Sequence, residues 1–294
     1  MTDDARFGEM DSGKADFVSY CTRLYIYYSF ITSQRQKQAG NEKEGSAMTD
    51  VLGHRLKVGS LVPSTNSSVE PEIAGMAIEG VTHLAARISV PNQEFRSNAD
   101  AEAIVVATEP DLLPALSRLM AANPDRVIMA MAVPCFWGGR AGSTSMKRRL
   151  EEHAGVPVTV PPDALDQALT TMQAKTIAVV SPYMPLADEH VKVWFEEAGY
   201  GVDKIVGLRA PREDQVIDIT ADQLQTAFDR VDSSRVDALV HVGTSIAMAR
   251  LAAPFEARYR KPVISVNVAC WWATLRAAGI ADRRDGYGRL LRDF

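Results

Sequence analysis

The sequence predicts an α/β fold of two pseudo-symmetric lobes, each a short, mostly parallel sheet flanked by helices, with an active site in the cleft between them. Three observations predict it. From residue 56 onward, short β-branched runs alternate with amphipathic helical stretches, the pattern of parallel sheets covered on both faces. An approximate internal repeat gives each half two strand ends that break into small or polar residues. Finally, 46% hydrophobic and 23% charged residues over 294 positions describe an ordinary globular chain, long enough for one large domain or two small ones.

Residues 1–47 differ in character from the rest: a Tyr-rich stretch (Leu24, Tyr25, Ile26, Tyr27, Tyr28) is followed by a polar run from Ser33 to Glu44. Nothing in this tail continues the later periodicity, so it reads as a peripheral or non-native extension ahead of Met48, and as dispensable. Strands are predicted at 56–62, 83–90, 126–133, 156–160, 176–180, 204–208, 238–242 and 262–266. Among the helices between them, one carries Val191, Trp194, Phe195 and Ala198 on a single face and stops at Gly199, a C-cap position. Another starts at Thr220 with Gln223 three residues on, a capping box, and turns Leu224, Ala227, Phe228 and Val231 inward. The first lobe is assigned to 48–162 with 267–294 and the second to 163–266, the chain crossing near 161–164 and returning near 262–267.

Composition excludes several classes of function. A formal charge of -5 supplies no broad basic field, which argues against nucleic acid as a partner. No apolar run approaches the roughly 20 residues that span a bilayer, and the N-terminus lacks the basic-then-apolar order of a secretory signal. A cytoplasmic protein with no membrane partner is therefore expected. Cys21, Cys135 and Cys270 are too few and too scattered for a disulfide framework, in keeping with a reducing compartment. The five histidines show no metal-ligand spacing, so neither a metal site nor a cofactor is expected, and proton-transfer or thiol chemistry is.

The four strand ends are Leu61-Val62-Pro63-Ser64-Thr65-Asn66, Ala132-Val133-Pro134-Cys135, Val180-Ser181-Pro182-Tyr183 and Val242-Gly243-Thr244-Ser245. At such junctions backbone N–H groups and helix N-termini point into the crevice and favour anions. The run Val62-Pro63-Ser64-Thr65-Asn66-Ser67-Ser68-Val69-Glu70-Pro71-Glu72 resembles the Pro-Ser-x-Asn-x-x-Val/Leu-Glu-Pro signature of one branch of the aspartate/glutamate racemase superfamily, that of maleate cis-trans isomerases and arylmalonate decarboxylases. Ser181-Pro182-Tyr183, Val242 to Ser245, and Lys261-Pro262-Val263-Ile264-Ser265 with Trp271 to Gly279 support the resemblance, which spans 56–280.

The resemblance implies a two-lobed, cofactor-independent enzyme of the maleate isomerase type acting on a small mono- or dicarboxylate, and an oligomer, a dimer. Racemases and isomerases of the superfamily use one thiol per lobe, but the matching second-lobe position here is Gly243, and the first-lobe position falls near Met131 or Ala132. Decarboxylases replace the first thiol by Gly-Thr-Ser, where this chain has Ala132-Val133-Pro134. Carboxylate binding is therefore assigned to Ser64, Asn66, Ala132, Val133, Tyr183, Gly243, Thr244 and Ser245, with Arg140 as an added charge. Cys135, with His241 as its imidazole partner, is the candidate catalytic pair in place of two thiols. The alternatives are an arylmalonate-decarboxylase-like C–C lyase and a non-catalytic small-acid binding protein.

Plainer roles stand beside these. Cys135 fits a small buried hydrophobe, His241 a packed strand residue, Tyr183 a turn cap and Asn66 the N-cap of the helix after it. Glu70 and Glu72 flank that helix start, where acidic groups complement the dipole, and are not read as an acid/base pair.

Overall fold

The structure is a computed structural model that describes residues 50–294; the expected N-terminal extension, 1–47, and Cys21 lie outside the described residues. Strands β1 (Leu56–Pro63), β2 (Val81–Ile88), β3 (Arg126–Met129) and β4 (Val158–Thr159) form one sheet in the order β2-β1-β3-β4. Strands β5 (Thr176–Ser181), β6 (Gly201–Gly207), β7 (Ala238–His241) and β8 (Val263–Ser265) form a second in the order β6-β5-β7-β8. Every pairing is parallel, and the strand order of the first sheet is repeated in the second. The sheets are covered on both faces by apolar clusters, which is why β1 and β5 read as nearly continuous buried runs.

All eight expected strands are present with shifted ends: 156–160 contributes only Val158–Thr159, 83–90 is Val81–Ile88, 204–208 is Gly201–Gly207, and one stretch changes character. The stretch 126–133 leaves the sheet after Met129, and Ala132–Phe136 is a short helix, α3. Pro134 explains the change: it has no N–H for a ladder, yet is tolerated in a first helical turn, where the N–H would have no partner. The other helices are α1 (Val69–Gly75), α2 (Asn98–Met120), α4 (Gly139–Ala154), α5 (Pro161–Thr171), α6 (Pro185–Glu197), α7 (Ala221–Val231), α8 (Ala252–Tyr259), α9 (Val266–Ala277) and α10 (Arg289–Asp293). In α6, Val191, Trp194 and Phe195 are buried, and Gly199 follows the end of the helix at φ +93°. In α7 the capping box is formed: Thr220 Oγ1 accepts from the Gln223 amide at 3.2 Å, and Gln223 Oε1 accepts from the Thr220 amide at 2.8 Å.

Three apolar clusters hold the layers. One lies on the outer face of each sheet, under α2 and α4 in the first lobe and under α7 and α8 in the second. The third is shared: Val58, Val62 and Ile128 of the first sheet join Ile177, Val179 and Val240 of the second, with Trp194 and Trp271 in the same cluster. Helix α9 crosses back to the first lobe, where Trp271 Nε1 donates to the Met76 carbonyl at 3.2 Å and Thr274 bonds Thr159 at 2.8 Å.

Candidate active site

The site is built on the ends of β1, β3, β5 and β7. Past β1, Asn66 Oδ1 accepts from the amides of Ser68 (2.9 Å) and Val69 (3.0 Å), so its side chain caps the start of α1. Its Nδ2 reaches the other lobe and donates to Ser245 Oγ at 2.9 Å, and more weakly to Thr244 Oγ1 at 3.5 Å. Ser68 Oγ and Asn267 Nδ2 both donate to the Thr244 carbonyl, at 2.7 and 2.9 Å. Asn267 Nδ2 also donates to Glu72 Oε2 at 2.7 Å, while Glu72 Oε1 accepts from the Ala249 amide at 2.6 Å. Burial lifts the Glu72 carboxyl to about 7, against the pull of these hydrogen bonds. Because Asn66 occupies a lone pair of the Ser245 hydroxyl, that hydroxyl keeps its own proton for another acceptor.

Ala132, Val133, Tyr183, Gly243, Thr244 and Ser245 line one cavity of about 50 Å³. Gly243 sits at φ +132°, and a Cβ there would lie 2.5 Å from Pro182 Cδ, so the β7 turn approaches the β5 turn as only glycine permits. The remaining wall is mostly apolar: Phe95, Ile104 and Met131 from the first lobe, Met184 and Val216 from the second. No lysine, arginine or histidine among the described residues lines it.

Two acids shape the electrostatics. Glu213 opens a short 3-10 turn (Glu213–Asp218) and is the one carboxyl that lines the cavity among the described residues. It is half-buried, and desolvation pushes its pKa up to about 7. Burial, then the charge of Glu213, pushes the Tyr183 phenol well above its usual range. Asp188 is lifted to about 7 by burial and takes the Ser181 hydroxyl, whose oxygen in turn accepts from the Tyr183 amide at 3.2 Å.

Four expectations need correction. Ser64 is exposed and exchanges hydrogen bonds with the backbone of Val90 (3.0 and 3.3 Å), outside the cavity wall. Cys135 is fully buried in the outer core of the first lobe, where its thiol donates to the Met131 carbonyl at 3.4 Å and burial drives its pKa far up. His241 is also fully buried, held neutral with its pKa lowered to about 3 by desolvation, and neither ring nitrogen has a hydrogen-bond partner. The thiol–imidazole pair is therefore not formed: helix α3 starts before Cys135 and rotates the thiol away from the strand end. Arg140 is turned onto the end of α6, its guanidinium donating to the Glu197 carbonyl at 3.4 Å and its backbone amide to Glu197 Oε2 at 2.7 Å. Glu213 went unrecognised because a Glu-Asp pair in an irregular segment reads as solvated loop; its enclosure comes from residues distant in sequence. Among the described residues no group of three His, Cys, Asp or Glu side chains is gathered to hold a metal ion.

Comparison with known proteins agrees with this geometry. Residues 58–291 match the family described as arylmalonate decarboxylase. A maleate isomerase of Pseudomonas putida is 27% identical over 242 residues, covering 80% of this chain and 96% of that protein. The crystal structure of a maleate isomerase from Pseudomonas putida superposes with a TM-score of 0.74 at 25% identity, covering 81% of this chain and 98% of that one. The Nocardia farcinica maleate cis-trans isomerase, as a cysteine-to-serine mutant with a covalently bound succinylcysteine intermediate, superposes with a TM-score of 0.74 at 23% identity over 81% of this chain and 99% of that one. In the present chain neither Cys135 nor Cys270 lines the cavity.

Proposed function

The chain belongs to the arylmalonate decarboxylase family, and from that membership we propose that it is a cofactor-independent enzyme of the maleate cis-trans isomerase type, acting on a small carboxylic acid. One observation carries the reading: six of the eight residues expected to bind a carboxylate, drawn from three strand ends, line a single cavity. The donors there suit an anion. The first-turn amides of α3 have no intrahelical acceptors, and the hydroxyls of Thr244, Ser245 and Tyr183 surround the same space. When charge develops on carboxylate oxygens during a reaction at the neighbouring carbon, donors already fixed in place stabilise it without reorganising.

Turnover of maleate, followed as the appearance of fumarate by proton NMR, tests the reading. Tyr183→Phe and Ser245→Ala are each expected to lower kcat/KM by about 100- to 1,000-fold, the order of one lost oxyanion donor. Cys135→Ala is expected to leave it unchanged, because the thiol faces the core. The apolar wall formed by Phe95, Ile104 and Val216 favours a second reading, decarboxylation of a malonate-type acid with an apolar substituent, which carbon dioxide release would identify. Among the described residues no helix is long and apolar enough to cross a membrane. We extend the reading to a dimer, which light scattering tests, and to a cytoplasmic location, which cell fractionation tests.

A further inference from the structure

A small acid bound in this cavity must meet the carboxyl of Glu213, and the surroundings leave that carboxyl without help. No hydrogen bond or ion pair to it is present among the described residues. The charged groups around it are committed elsewhere: Asp188 on α6 holds Ser181, and Arg209 acts on Asp188. Arg212 pairs with Asp214, Asp214 also takes the Asn92 amide, and Glu94 of the facing first-lobe loop pairs with Arg96. The faces turned to the cavity are Phe95, Val216 and the uncharged phenol of Tyr183.

An ionised Glu213 beside a bound carboxylate would set two like charges in a pocket with mostly apolar walls and no cation to separate them. Two carboxyl groups in that situation share one proton. We propose that Glu213 is a further binding residue of the cavity: its carboxylic acid donates a hydrogen bond to the bound carboxylate, so that the two groups share one proton and the ligand enters together with it. The inference rests on the carboxylate reading of the cavity. A pKa already lifted to about 7 supports it, since the donor form is then abundant at neutral pH before any ligand arrives. The sign follows from linkage: binding raises that pKa further and takes up a proton, so affinity falls as pH rises above about 7, by about tenfold per unit once the competent form is scarce.

Calorimetric titration tests this with monomethyl maleate, a probe with a single carboxylate that stays ionised throughout, between about pH 6 and about pH 9. In wild type the binding heat should vary with buffer ionisation enthalpy, reporting uptake of up to one proton. Glu213→Gln, which keeps a donor and loses the titration, should bind the ester with a flat pH profile and no proton uptake. Binding of the ester to wild type that is independent of pH, with no proton uptake, would overturn the inference and leave the carboxylate reading standing. No binding of the ester at any pH would overturn both.

Discussion

His241 shows how one enclosed side chain makes stability depend on pH. Its ring is fully buried, has no hydrogen-bond partner, and is held neutral with a pKa of about 3 against an ordinary 6.5. Between those values the folded chain binds fewer protons than the unfolded chain, so the contribution is complete above about 6.5 and is lost as pH falls toward about 3. His241→Leu should therefore lose less thermal stability than wild type on acidification from about pH 7 to about pH 4, read as the difference in Tm between the two proteins. At this scale the sequence was legible where a residue follows a strand end: Tyr183 and Gly243 to Ser245 all reach the cavity. It was not legible where the environment is assembled by other elements, as it is for Glu213, or where the secondary structure changes just upstream, as it does for Cys135.

At the scale of elements, the turn after β7 is set by backbone geometry and by a side chain from elsewhere. Restoring a thiol with Gly243→Cys would force a side chain to φ +132° and a Cβ to 2.5 Å from Pro182 Cδ. A loss of at least about 1–3 kcal/mol in urea denaturation is expected, and a variant as stable as wild type would show that the turn relaxes freely. Asn66→Asp separates the two jobs of that residue. The acid still accepts the α1 amides, but Ser245 must now donate to it and no longer to a ligand. Thermal stability should change little while KM for the acid substrate rises about tenfold, the value of one well-placed hydrogen bond. The strands themselves were readable from alternation and β-branching. Helix α3 was not, because Ala132 to Phe136 is a short apolar run that a buried strand would equally explain.

The molecule as a whole repeats one strand order twice and joins the copies through an apolar cluster drawn from both sheets. That cluster includes Trp194 and Trp271 and leaves neither sheet with a finished inner face of its own. Calorimetry should accordingly record a single transition in which both lobes melt together, whereas two resolved transitions would mean that each lobe is stable alone. The architecture was legible because the repeat of strand ends pairs the halves before any contact is known. The crossing of Asn66 and Glu72 into the opposite lobe was not, since nothing in periodicity announces a hydrogen bond between residues 178 positions apart.

That crossing bears on dissection of the protein. Expressed as two fragments severed between β4 and β5, the piece bearing Thr244 and Ser245 would keep the hydroxyls but lack Asn66, the amide that aims them. Capture of an acid by the mixture, and by neither fragment singly, would then serve as a direct readout of reassembly.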